Sequence, residues 1–187
     1  MQDSLNGMID AARSVLVLVD YQQRLLPALD RAEAALGEAL RLADAARGLG
    51  IAVLGTEQNP AGLGSNDERV RERCASTLAK MQFDACADGL LEALPQPAPL
   101  DVVIAGCEAH VCLLQTALGL LRAGHRAWVV APACASRRAE DRALAMERLR
   151  QAGAVIVSVE MVVFEWLRGC GHEHFRPTLQ LLKAPRA

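Results

Sequence analysis

The chain has 187 residues, of which 52% are hydrophobic and 22% charged, with a formal net charge of −2. That balance supports a well-buried core and excludes a disordered or low-complexity chain. The 20 basic and 22 acidic residues are interspersed without a basic stripe, which argues against nucleic acid as the main partner, and no apolar run approaches the ~20 residues of a membrane span.

In chain order, the first apolar run is Val15–Val19, a nearly continuous stretch of Val and Leu. It predicts a strand buried on both faces, as in a parallel sheet covered by helices. Arg31–Arg47 carries Ala35, Leu36, Ala39, Leu40 and Ala43 on one helical face and is closed by Gly48 and Gly50. Ile51–Gly55 predicts a second strand. Thr56–Gln82 is the least regular stretch, with turns at Asn59-Pro60 and at Gly62 to Gly64. Pro95 to Pro99 reads as a stiff surface connector. Val102–Ala105 predicts a third strand, Cys112–Ala123 a helix stopped by Gly124, and Ala127–Ala131 a fourth strand. Ser136–Gln151 reads as a helix with Ser136 at its N-cap, followed by a fifth strand over Ala154–Val159. The Val162–Leu167 run is apolar around nearly its whole circumference, so it needs cover from the core, a second subunit, or both. Phe175–Leu182 predicts a closing helix. This alternation predicts an α/β fold, a three-layer α/β/α arrangement with a mostly parallel Rossmann-like sheet. One domain is expected over residues 1–187, with its core at about 14–182.

The N-terminal segment carries Asp3 and Asp10 and no basic region, so a secretory signal is not expected. The six cysteines, at positions 74, 86, 107, 112, 134 and 170, are then expected to be reduced thiols in a cytoplasmic protein. In an open parallel sheet, functional residues gather beyond the carboxyl ends of the strands. That rule selects Asp20 after the first strand, Thr56 to Asn59 after the second, Cys107 to Cys112 after the third, and Cys134 and Ser136 after the fourth. Cys112 follows a Gly-led turn at the start of an apolar helix. Free amides and the helix dipole there lower a thiol pKa and can hold an oxyanion. Asp20, on a neighbouring strand end, is placed to serve as its base. Position alone leaves two readings of Cys112, a nucleophile or a small packed residue.

Five ordered segments carry a resemblance: Val-Leu-Val-Asp20-Tyr-Gln22, Gly55-Thr-Glu-Gln-Asn-Pro60, Lys80-Met-Gln-Phe83, Gly106-Cys-Glu-Ala-His-Val-Cys112 and Ala131-Pro-Ala-Cys-Ala-Ser136-Arg137. Over Ser14 to Leu182 the chain resembles the isochorismatase-like cysteine hydrolase superfamily, in its isochorismatase domain-containing branch. The resemblance implies a catalytic triad of Asp20, Lys80 and Cys112, with the Asp accepting the thiol proton and the Lys stabilising the charged pair. It also implies a non-proline cis peptide at Cys107–Glu108, which would aim the amides of Glu108 and Cys112 into an oxyanion hole. Physical sense supports the lysine independently, because an ammonium offsets the repulsion between a carboxylate and a thiolate.

Two departures refine the expectation. Nicotinamidase-type relatives carry an Asp-x-His metal pair after the second strand, whereas this loop reads Thr56-Glu57-Gln58-Asn59-Pro60. No metal and no cofactor are therefore expected. Dedicated isochorismatases do their vinyl-ether chemistry without needing a Cys at the nucleophile position. Retention of Cys112 favours covalent attack on an amide, imide or ester-like carbon. Cys170, His172 and His174 have a spacing that suits zinc or nickel but lack a second ligand pair, and read as a polar loop. His110, Gln22 and Phe83 are expected to line the pocket, with Tyr21, Glu108 and Trp166 as weaker candidates. Cys107 is expected as a small packed residue in the active-site turn, and Cys74, Cys86 and Cys134 as structural thiols.

The expected function is metal-independent cysteine hydrolysis of a small-molecule C–N or related bond. The resemblance also implies a homo-oligomer, for which Val162–Leu167 and the Ser136 segment are the candidate interface. The rivals are a catalytically silent binding protein of the same fold and a vinyl-ether hydrolase. A Cys107/Cys112 redox protein lacks a C-x-x-C motif, and a dinucleotide oxidoreductase lacks G-x-G-x-x-G after the first strand.

Overall fold

Strands whose side chains are apolar on both faces have only one stable place, the middle of a covered sheet. In the computed structural model, which describes residues 7–183, β1 (Ser14–Val19) and β4 (Asp101–Gly106) hold that place. Around them stand β2 (Val53–Gln58), β3 (Ser76–Lys80), β5 (Arg126–Val130) and β6 (Val155–Val157). All pairings are parallel, in the order β3-β2-β1-β4-β5-β6.

The helices are α1 (Ala32–Gly48), the single turns α2 (Pro60–Leu63), α3 (Glu68–Arg71) and α4 (Leu90–Ala93), then α5 (Leu114–Arg122), α6 (Ala139–Gln151), α7 (Val159–Leu167) and α8 (Phe175–Lys183). The β1–α1–β2 crossover moves one way along the sheet and the β4–α5–β5 crossover the other. Right-handed connections therefore put α1 and α5 on opposite faces. α7 and α8 join α1, and α6 joins α5. The expected three-layer α/β architecture is the one that forms. Among the described residues no helix is long and apolar enough to cross a membrane.

Several local expectations are corrected. β3 was hidden in the stretch that read as irregular. Its residues Ser76, Thr77, Leu78 and Ala79 lie on an exposed edge and make no apolar run, and only Lys80 is buried. β2 begins two residues later than predicted and continues through Gln58, because its polar end is buried beside β1 and β3. Ser136 does not cap α6, which starts at Ala139; its carbonyl instead accepts the Asp30 amide. The last strand stops at Val157, and the Ser158 hydroxyl caps α7 by accepting the Met161 amide. Within the Val162–Leu167 run, Val162, Val163, Trp166 and Leu167 are buried within the chain, while Phe164 stays exposed.

β1 and β4 meet at the point where the strand order reverses. Val19 pairs with Gly106 there, and the Cys107 amide donates to the Val19 carbonyl at 2.9 Å. A Cβ on Gly106 would overlap that carbonyl oxygen and lie 2.5 Å from Val19 Cβ. Gly106→Ala is therefore expected to destabilise the protein by at least the ~1–3 kcal/mol of ordinary overpacking, seen as a lower urea midpoint. An unchanged midpoint would mean that the two strand ends are not in this close contact.

Candidate active site

The three strand ends on one side of the switch point deliver a carboxylate, an amide and an ammonium to one place. Asp20 follows β1 directly and adopts φ 55°, a left-handed conformation that Asp tolerates better than most residues. Its amide donates to the Thr56 carbonyl at 3.1 Å, which ties it to β2. Both carboxylate oxygens are engaged. The Thr56 hydroxyl donates to Oδ1 at 2.6 Å, and Lys80 Nζ donates to Oδ2 at 2.8 Å. Asp20 and Lys80 are both buried. Lys80 ends β3, in register with Gln58 of β2, and its Nζ also donates to Gln58 Oε1 at 2.7 Å.

Cys112 arrives from β4. The chain passes through Cys107–Glu108, whose peptide is cis, into one wide π-type turn over Ala109–Leu113 that leads into α5. The turn is anchored at both ends: the Ala109 amide donates to the Ala135 carbonyl, and the Val111 and Leu113 amides donate to the Glu108 carbonyl. This brings the buried Cys112 sulfur to 3.8 Å from Gln58 Oε1. The helix start was expected to lower the thiol pKa, and here the outcome is the reverse. Burial pushes Cys112 up to about 12, the Asp20 carboxylate adds to that rise, and the Lys80 ammonium opposes it. Desolvation of a thiolate outweighs the dipole of one helical turn. Cys112 is therefore a neutral thiol.

The other expected pocket residues are placed as follows. Gln22 is fully buried behind the site. Its amide donates to the carbonyls of Gln58 and Gly64 and accepts the Gln58 N–H, so it holds the wall and does not line the pocket. Phe83 is half exposed and Met81, the residue after Lys80, more so, and the Met81 and Gln82 amides both donate to Asp88 Oδ2. His110, two residues before Cys112, has its Nδ1 3.0 Å from the Ser136 hydroxyl. The Glu108 carboxylate turns to Arg137, accepting its backbone N–H and its Nε. Tyr21 is fully buried, with its hydroxyl donated to the Ala133 carbonyl. Trp166 lies at the opposite end of the sheet, where its indole donates to the Ser14 hydroxyl. Cys170 is exposed and the His172 and His174 rings sit 5.6 Å apart. Among the described residues no group of three or more His, Cys, Asp or Glu side chains is placed to hold a metal ion.

Gln58 is the residue that sequence reasoning missed. It lies in the Thr56 to Asn59 segment that the strand-end rule selects, but the sequence assigns it no individual role.

A doubly wound parallel sheet with this polar cluster at its switch point has the isochorismatase-like hydrolase fold. The isochorismatase domain matches residues 14–161, and the chain belongs to that family. It is 32% identical over 180 residues to isochorismatase domain-containing protein 2A of Mus musculus, covering 96% of this chain and 87% of that one. It is 35% identical over 179 residues to isochorismatase domain-containing protein 1 of Danio rerio, covering 95% and 63%. Among solved structures it is similar to the MAR1 ribonuclease from Caenorhabditis elegans, with a TM-score of 0.90 and 31% identity over 96% of this chain and 94% of that one. The YcaC gene product from Escherichia coli, described as an octameric hydrolase of unknown specificity, shares the fold at a TM-score of 0.84 and 22% identity over 94% and 87%.

Three outcomes follow from the buried charges and the buried thiol. Lys80→Met leaves Asp20 without its counter-ion and is expected to cost about 3–5 kcal/mol in urea unfolding. The double variant Asp20→Asn/Lys80→Met is expected to recover part of that loss, and simple additivity of the two single changes would show that the pair is not coupled. Thiolate absorbance at 240 nm, taken as the difference between the protein and Cys112→Ala, is expected to stay flat through pH 9 because burial keeps this thiol protonated. A rise below pH 8 would contradict that.

Proposed function

We propose that the protein is a hydrolase in which Cys112 attacks a small amide, imide or related carbonyl, with Asp20 as base and Lys80 as the fixed cation. The observation that carries this reading is the convergence of Asp20, Lys80 and Cys112 from three separate strand ends into one buried cluster. A neutral thiol beside a buried carboxylate suits a step in which the proton leaves as the S–C bond forms. Asp20 takes the Cys112 proton, and the sulfur adds to the carbonyl carbon. The tetrahedral oxyanion is received by the amides of Glu108 and Cys112, since the Ala109 and Val111 amides already serve Ala135 and Glu108. Collapse breaks the C–N bond, and the amine leaves with the proton from Asp20. Water then cleaves the thioester, giving a carboxylic acid and restoring the thiol.

The half-exposed Phe83 and the Met81 beside it offer apolar contact for a small substrate at the rim. Self-association belongs to the same reading, with the exposed Met161 and Phe164 of α7 as its apolar strip.

The test is a panel of small amides, imides, vinyl ethers and RNA, assayed with the protein and with Cys112→Ala. Turnover of a C–N substrate is expected to fall by on the order of 10⁴ or more in the variant, with an unchanged circular dichroism spectrum. An acyl adduct on Cys112 is expected by mass spectrometry after rapid quenching. Equal turnover by the two proteins would overturn the covalent scheme, and turnover of a vinyl ether alone would favour the isochorismatase-type reaction.

A further inference from the structure

We propose that Gln58 is a positioning residue for the nucleophile: its side-chain carbonyl takes one N–H of Lys80 and so sets how much of that charge reaches the Cys112 sulfur. The inference rests on reading Cys112 as the nucleophile, and goes beyond it in naming what tunes the thiol.

An ammonium has three N–H donors and no acceptor. Those of Lys80 go to Asp20 Oδ2 at 2.8 Å, Gln58 Oε1 at 2.7 Å and the Gln82 carbonyl at 3.5 Å. A sulfur that needs charge stabilisation therefore competes with Gln58 for the same cation. The competition is built in geometrically, because Gln58 Oε1 lies 2.7 Å from the ammonium and 3.8 Å from the sulfur. The Gln58 amide cannot turn over, since Nε2 donates to the Met81 carbonyl at 2.8 Å and a flip would put an NH₂ against the ammonium. Its backbone is equally fixed. Gln22 accepts the Gln58 N–H and donates to its carbonyl, each at 2.9 Å, and strand register sets it opposite Lys80. The charged groups acting on the sulfur are Asp20 from β1 and Lys80 from β3. On the nucleophile's own turn the titratable neighbour is His110, whose Nδ1 is at 3.0 Å from the Ser136 hydroxyl.

A residue that only braces the Met81 loop would lower thiol reactivity whenever it is replaced. A residue that partitions the ammonium's charge gives opposite results with two isosteric changes. Gln58→Met removes the competing carbonyl and frees an N–H for the sulfur, and Gln58→Glu adds a second negative charge beside it. The experiment measures the second-order rate of iodoacetamide alkylation at Cys112 at pH 8, resolved from the other cysteines by peptide mass spectrometry. Gln58→Met is expected to raise the rate about threefold or more. Gln58→Glu is expected to lower it about tenfold, the effect of one pKa unit on the thiolate fraction. Rates that move in the same direction, or do not move, would overturn the proposal. If circular dichroism shows that Gln58→Met does not fold, Gln58→Leu, which also removes the competing carbonyl, takes its place with the same expected rise. Alkylation needs no substrate, so this test can fail while the Cys112→Ala test succeeds, and the reverse.

Discussion

Burying Asp20 and Lys80 side by side takes two full charges out of water, and much of the rest of the site is arranged to compensate. The effective penalty for each ion is several kcal/mol, recovered only when geometry is good and the remaining donors and acceptors are filled. Here they are filled from three directions: Thr56 on one carboxylate oxygen, Lys80 on the other, and Gln58 and Gln82 on the ammonium. The partners lie on adjacent strands β1, β2 and β3, so hydrogen-bonded register fixes the spacing of the charged groups. A helix or loop scaffold would leave that spacing to side-chain rotamers.

The pair also controls the thiol next to it. A lone carboxylate near Cys112 would push the proton on more firmly, and a lone ammonium would pull it off. Together they oppose each other at the sulfur, and burial, the largest influence, decides in favour of the neutral thiol. In the proposed reaction, such a site would keep Cys112 protonated until a bound carbonyl makes proton transfer to Asp20 worthwhile. Polar residues one layer out hold this balance in place. Gln22 fixes the end of β2, and Asp88 fixes the loop that follows Lys80.

The close approach of β1 and β4 completes the arrangement. Gly106 lets the Cys107 amide reach the Val19 carbonyl, and from there the chain turns through Glu108 to present Cys112 over the Asp20 side of the sheet. Cys112 and Asp20 thus come from neighbouring central strands, held in place by packing on both faces. The lysine comes from an exposed edge strand, and its buried ammonium ties that edge to the centre.

Much of this was legible in the sequence. The continuous apolar runs of β1, β4 and β5 read as buried parallel strands, and the strand-end rule selected Asp20 and Cys112 among other positions, although position alone left Cys112 as a nucleophile or a small packed residue. Lys80 needed the family resemblance, because β3 carries no apolar pattern and its lysine alone reads as a solvated surface residue. Three things were decided by tertiary structure alone. The thiol pKa went up and not down, since burial depends on what surrounds Cys112 and not on its place in a helix. Gln22 and Tyr21 turned inward to backbone carbonyls, a choice set by which unpaired carbonyls lay within reach. Gln58 became a partner of Lys80 because strand register, which local sequence does not encode, put the two opposite each other.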